Sequence, residues 1–219
     1  MAKIHGLLDL GKRSMAVNQS ALHTTSHNIA NKATEGFTRQ RVDVLTNPAV
    51  GDGQQRVGTG ARLGAITRVN NPWIDKQIEK EGANFAFLEG RSDALQRLES
   101  AFNEQSAKGL NSSMSEFFNS FRELANNPES LTTRTVVRDN ANALIKNFQD
   151  IHRQIDSVTD QLNGTIQIGV EQVNAHAKEI AQLNEKISSI EITGATANDE
   201  RDRRDLLVKK LAEKIDISH

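Results

Sequence analysis

The sequence predicts a mainly α-helical protein: an elongated antiparallel helical bundle or coiled coil, with a small extended or β segment between an N-terminal helix and the bundle. Three observations predict it. Apolar residues recur at steps of three and four over most of the chain. Hydrophobic content is 37% and aromatic content 4%, lean for a compact globule and suited to long helices with narrow seams. The helical spacing breaks between about 37 and 70, where residues alternate and Gly and Pro cluster. The chain therefore divides into a helix and turn over 1–36, an extended or β-hairpin segment over 37–70, and a helical bundle over 71–219.

The first helix is expected over residues 4 to about 31. Leu8, Met15, Leu22 and Ile29 fall seven apart and form one apolar row. The companion row, Ile4, Gly11, Asn18 and Thr25, is mostly small or polar. Such a seam is too thin to stabilise an isolated helix. It needs partners from elsewhere in the chain or from other subunits; the alternative is an amphipathic helix on a globular core. Residues 1 to about 70 are accordingly expected to be disordered or weakly packed in a lone monomer.

The joint that follows organises the chain. Thr34-Glu35-Gly36-Phe37 suits a type II turn, with Gly36 at the position that requires positive φ. Asn28 and Asn31 are poor mid-helix residues, but their amides can satisfy backbone groups where a helix stops. Beyond the turn, Val42 and Val44 alternate with Arg41, Asp43 and Leu45. Asn47-Pro48 and Gly51-Asp52-Gly53 mark turns. Gly58-x-Gly60 invites a phosphate-loop reading, but the dinucleotide fingerprint would need glycine at Leu63, with a helix opening there. Glycines in a short hairpin are the better account.

Asn71-Pro72 reads as a helix start, with Asn as N-cap and Pro at the first helical position. Ile74, Ile78, Phe85, Leu88, Leu95, Leu98 and Phe102 mark one face, and Gly109 ends or interrupts the helix. Leu95→Asp is expected to bury a charge in this seam and so to destabilise the whole helical region. A short helix follows, with Ser113 and Glu116 spaced as a capping box. It carries Phe117, Phe118 and Phe121, expected to pack it onto the long helices as a turn-around between them. Asn126-Asn127-Pro128 breaks the chain again.

The longest pattern runs from about Thr133 to Ile192. Leu144, Phe148, Ile151, Ile155, Val158 and Leu162 step as in a coiled coil. Leu162, Ile166 and Val170 then step by four twice, a stutter, with Gly164 and Gly169 inside it. The alternation resumes from Val173 to Ile190, and Gly194 terminates it. About sixty helical residues would span ~90 Å. Asn198 is a cap candidate for a last helix with Leu207, Leu211 and Ile215, expected to fold back near Ile187 and Ile190. The 71–106 helix and the long one are expected to pair antiparallel.

Composition narrows the chemistry. Net charge is −1, so no basic excess argues for nucleic acid. There are no cysteines, which excludes disulfides and thiolate metal sites. No apolar run reaches membrane-spanning length, so membrane insertion is not expected. The first nine residues lack the features of a conventional signal peptide, so the general export route is not expected to recognise them. His23 and His27 are four apart, but no third ligand is evident, and solvent-facing histidines are the simpler reading. Asp199-Glu200-Arg201-Asp202-Arg203-Arg204-Asp205 interleaves charges, as in a solvated, self-paired helix face. No nucleophile motif is present. No catalytic residue, metal or cofactor is expected.

Three passages carry a family resemblance. Asn28-Ile29-Ala30-Asn31, Thr34, Gly36, Arg39 and Gln40 resemble the signature of bacterial flagellar axial proteins; Glu35 and Phe37 stand where proline and tyrosine are usual. The Gly-rich stretch ending in Ile66-Thr67-Arg68 is similar to the one that follows the signature in hook-associated proteins. Gly109–Pro128 and Asn198–Leu207 resemble the flagellar hook-associated protein 1 family, the first hook–filament junction protein. The resemblance implies a structural, non-enzymatic, extracellular subunit of the flagellum, exported by the flagellar type III pathway. Its implied partners are copies of itself, the hook protein and the next junction or filament proteins, with an export chaperone. It implies assembly through Leu8, Met15, Leu22, Asn28, Ile29, Asn31, Gly36 and Phe37. Family members continue through an outer domain and return with a C-terminal helix, so the resemblance implies an N-terminal part. Other readings are a hook or rod subunit and a soluble coiled-coil binding module.

Overall fold

The computed structural model describes residues 2–50, 56–102 and 109–217. Among these, helices α1 (Ala2–Ala30), α2 (Pro72–Phe102), α3 (Leu110–Asn126), α4 (Leu131–Ile192) and α5 (Asn198–Ala212) accompany strands β1 (Gln40–Thr46) and β2 (Ala61–Arg68). The mainly α architecture, with a small antiparallel sheet after the first helix, is the one the sequence predicts. The expected turn at 51–53 lies outside the described residues, as does the segment between α2 and Gly109. Two compact units emerge: Met1–Asn84 with Val173–His219, and Phe85–Gln172.

In the first unit, α1 packs on the β1–β2 hairpin. Leu10, Val17 and Thr24 fall seven apart on the packed side; Val17 and Thr24 are buried, and Leu10 closes on Gly60. The hairpin is antiparallel, from Gln40 opposite Arg68 to Thr46 opposite Ala61. Its register shifts between Val42 and Val44, so Gly64 and Ala65 face Asp43, a β-bulge. A Cβ on Gly64 would stand 3.0 Å from the Asp43 carbonyl oxygen, which explains glycine there. Asn71 caps α2 as expected, its Oδ1 accepting the Trp73 N–H at 3.1 Å.

The end of α4 pairs with α5. Ion pairs Lys186–Glu200 (3.0 Å) and Glu191–Arg201 (2.7 Å) lie near the connecting loop, and Glu179–Arg203 joins the residues farther from it on both helices, so the pair is antiparallel. Leu183, Ile187 and Leu207 are buried between them. Gly194, at φ +83°, breaks the chain after α4. Asn198 does not cap α5: Ala197 holds that position, and the Asn198 amide donates instead to the Ile66 carbonyl at 2.7 Å.

In the second unit, α3 and α4 form an antiparallel pair joined by 127–130. Asn147 donates to Ser113 Oγ, and Asn140 donates to the Glu116 carbonyl at 3.4 Å. So α3 is an arm lying along α4, not merely a turn-around. Gly109 is its N-cap and Ser113 sits buried inside the helix, so the expected capping box does not form. Phe117 makes T-shaped contacts with Phe118 (5.4 Å) and Phe121 (4.9 Å), but Phe118 and Phe121 stay 57% and 46% exposed. The expected buried aromatic knob is thus half open. The α2 seam is open too. Arg97 donates to Gln161 at 3.3 Å, yet Phe85, Leu88 and Leu95 are more than half exposed. Pairing of the kind expected between the 71–106 helix and the long one thus leaves these apolar positions uncovered.

Candidate functional site

The joint after α1 is built by side chains that imitate backbone. Asn31 extends the last turn: its N–H and its Nδ2 both donate to the His27 carbonyl, at 3.0 and 3.1 Å. The Thr34 N–H donates to the Asn31 carbonyl at 2.9 Å. The Phe37 N–H then donates to the Thr34 carbonyl at 3.2 Å, closing the predicted turn, and Gly36 takes φ +78°. Asn28 fastens the helix to β1. Its Nδ2 donates to the Gln40 carbonyl and its Oδ1 accepts the Gln40 N–H, both at 2.8 Å. Phe37 meets His27 in a T-shaped contact at 5.3 Å, so His27 is turned to Phe37 rather than free in solvent. Among the described residues no group of three or more His, Asp or Glu is placed to hold a metal.

The charged run at 199–205 is not the solvated face that its alternating signs suggest. Asp202 is 5% exposed. Its Oδ2 accepts the Thr38 N–H and its Oδ1 accepts Arg68 Nη1, both at 2.8 Å. Arg68 also donates to Asp205 at 2.8 Å. Burial works against the Arg68 charge, but its bonds to Asp202 and Asp205 outweigh it and hold the guanidinium pKa above the usual arginine value. Burial likewise opposes ionisation of Asp205, and donation from Arg68 and Arg204 prevails, leaving that carboxyl below its ordinary range. Gln40 Nε2 donates to Asp199 at 2.8 Å, and Lys210 pairs with Glu35 at 3.1 Å. Leu206 lies against Gly36. The readable signal was spacing: Asp199, Asp202 and Asp205, three apart, share one face of α5, which turns toward the hairpin.

The sequence-predicted residues fall into two groups. Asn28, Asn31, Gly36 and Phe37 are half-buried or tightly placed and shape the joint. Leu8, Met15, Leu22 and Ile29 are 65–69% exposed on the side of α1 away from Val17 and Thr24.

Fold and joint together define a helical protein whose polar groups hold its own distant segments together while an apolar row stays uncovered. The family described as "Flagellar hook-associated protein FlgK helical domain" matches residues 95–219, and the chain belongs to that family. It is 31% identical over 217 residues to the Flagellar hook-associated protein 1 of Bacillus subtilis (strain 168), covering 96% of this chain and 43% of that protein. It is also 31% identical over 196 residues to the protein of that name from Salmonella typhimurium, covering 88% of this chain and 35% of the relative. The Escherichia coli (strain K12) protein is 30% identical over 196 residues, with 88% and 36% covered. The chain spans less than half the length of these relatives. Among the described residues no helix is long and apolar enough to cross a membrane.

Proposed function

We propose that this chain forms the assembling part of a structural subunit, not an enzyme, at the junction between hook and filament of the bacterial flagellum. The observation that carries the reading is the exposed row Leu8, Met15, Leu22 and Ile29. A helix with one face packed on its own hairpin and a second apolar face open suits packing among subunits. Asn28, Asn31, Gly36 and Phe37 serve assembly by fixing where that helix stops and how the chain leaves it. In this reading the 1–36 segment is the axial helix and turn, 37–70 the connecting hairpin, and 71–219 the helical domain. Family membership supports partners of the same structure: further copies, hook protein and the adjoining junction or filament proteins. It supports an extracellular place on the flagellum, reached by the flagellar type III route with an export chaperone.

A tagged chain located in isolated flagella tests the proposal. Signal confined to the hook–filament boundary is expected. Signal along the hook or in the rod would identify a different axial role, and recovery only in the soluble fraction would leave a coiled-coil binding module. Leu22→Asp sharpens the test. Leu22 is 69% exposed, so the isolated chain should lose less than about 0.5 kcal/mol, while incorporation into flagella should fail.

A further inference from the structure

We propose that Asp202 is a conformational latch that makes the order of the turn and hairpin conditional on α5 having folded back on α4. One carboxylate grips both stems of the hairpin. Its Oδ2 takes the N–H of Thr38, where the chain enters, and its Oδ1 takes Arg68, where the chain leaves. Between these stems the Val69 N–H donates to the Arg39 carbonyl at 2.8 Å. The gripping group is 5% exposed, so neither bond competes with bulk water.

The two halves joined by this grip differ in what supports them. The α4–α5 pair has its own buried contacts at Leu183, Ile187 and Leu207, and ion pairs between residues close in sequence. A pair of adjacent helices closes a short loop and forms early. The two-stranded hairpin is of a kind that is marginal by itself, and the α1 that packs on it has a seam too thin to hold a helix alone, so the two together still lean on α5. Its link to Asp202 spans 164 residues of sequence from Thr38. The neighbouring links have the same reach: Gln40 to Asp199, Thr196 to the Ile66 carbonyl at 2.9 Å, Leu206 against Gly36. The dependence therefore runs one way. The α4–α5 pair stands without the hairpin, and the hairpin is ordered by α5. This gives the turn and hairpin a partner within the chain, while the row Leu8, Met15, Leu22 and Ile29 on α1 stays uncovered.

Hydrogen exchange on the full 219-residue chain tests it, with Asp202→Asn and Arg68→Gln measured beside the parent. The asparagine turns a donor toward Thr38 N–H or toward Arg68, and the glutamine removes the guanidinium. In both variants exchange at Thr38, the β1–β2 ladder and Val69 should quicken about tenfold or more, with 176–192 and 201–211 within about twofold of the parent. Hairpin exchange within about twofold of the parent in either variant overturns the latch. So does equal loss of protection in α4 and α5, because the carboxylate would then be part of a general core with no direction of dependence. The readout is independent of flagellar assembly, so failure here leaves the junction reading untouched, and the converse holds.

Discussion

Gly36→Ala should weaken the docking of the turn on α5 by roughly 2–5 kcal/mol, from two terms of similar size. Gly36 sits at φ +78°, where an L side chain costs about 1–2 kcal/mol. The added methyl would also stand 2.9 Å from Leu206 Cβ and 3.0 Å from its Cδ2. The nearest atom is a Cβ, fixed by the backbone of α5, so rotation about χ1 does not clear the clash. Overpacking of this kind costs about 1–3 kcal/mol. Urea unfolding followed by a fluorophore near residue 37 reads the loss as a lower midpoint for the turn, with far-ultraviolet circular dichroism of the helices nearly unchanged. Gly164→Ala is the matched control. It lies inside α4, nothing stands within 4 Å of the added methyl, and helix propensity predicts a gain of about 0.5–1 kcal/mol. If Gly36→Ala matches the parent while Gly164→Ala shows its gain, neither the strain nor the Leu206 contact constrains the joint.

The Asp205 carboxyl is held below its ordinary 3.8, so its contribution is complete above that value and is lost as pH falls through the lower folded value. Acid titration of hairpin order should therefore begin to fall below about pH 4, and Asp205→Asn should flatten that step; an identical profile in the variant would remove Asp205 from the account. Asn71→Ala should cost about 1 kcal/mol in thermal unfolding through loss of the α2 cap; no change would mean that water replaces it. Leu95 is 53% exposed, so Leu95→Asp should cost below about 1 kcal/mol, against about 2–4 for Ile151→Ala at 9% exposure. The reverse order would show the α2 seam closed in solution.

What the sequence made legible was what local chemistry decides. Gly36 was readable because a type II turn demands positive φ at its third residue, and Asn71-Pro72 because cap and first-turn preferences act within a few residues. The row Leu8, Met15, Leu22 and Ile29 was readable as spacing, though spacing alone does not say which face of α1 packs on the hairpin and which stays open. The failures are nonlocal. Asn198 has the right residue type to cap α5, but its amide is claimed by Ile66, 132 residues away. Ser113 and Glu116 keep capping-box spacing inside a helix that had already begun at Leu110. Asp202 looked like one charge among seven because Arg68, its partner, lies on another element. The closed seams expected for α2 and α4 assumed that every apolar row finds a mate within this chain.

The two-stranded sheet raises a different matter, that of its rims. A sheet this small has an outer edge on each strand, and bare N–H and C=O groups there invite a strand from another molecule to add. Asn28 presents an amide to Gln40 that bonds as a neighbouring peptide would, filling the rim of β1 at that rung. On the far side, Thr196 and Asn198 both donate to the Ile66 carbonyl and cover the rim of β2. Side chains from a helix and a loop thus stand where foreign strands would otherwise bind. In the assembly proposed above, that blunting would keep packing through α1 apart from runaway strand addition, and it gives Asn28 and Asn198 a reason to be asparagine that stability alone does not supply.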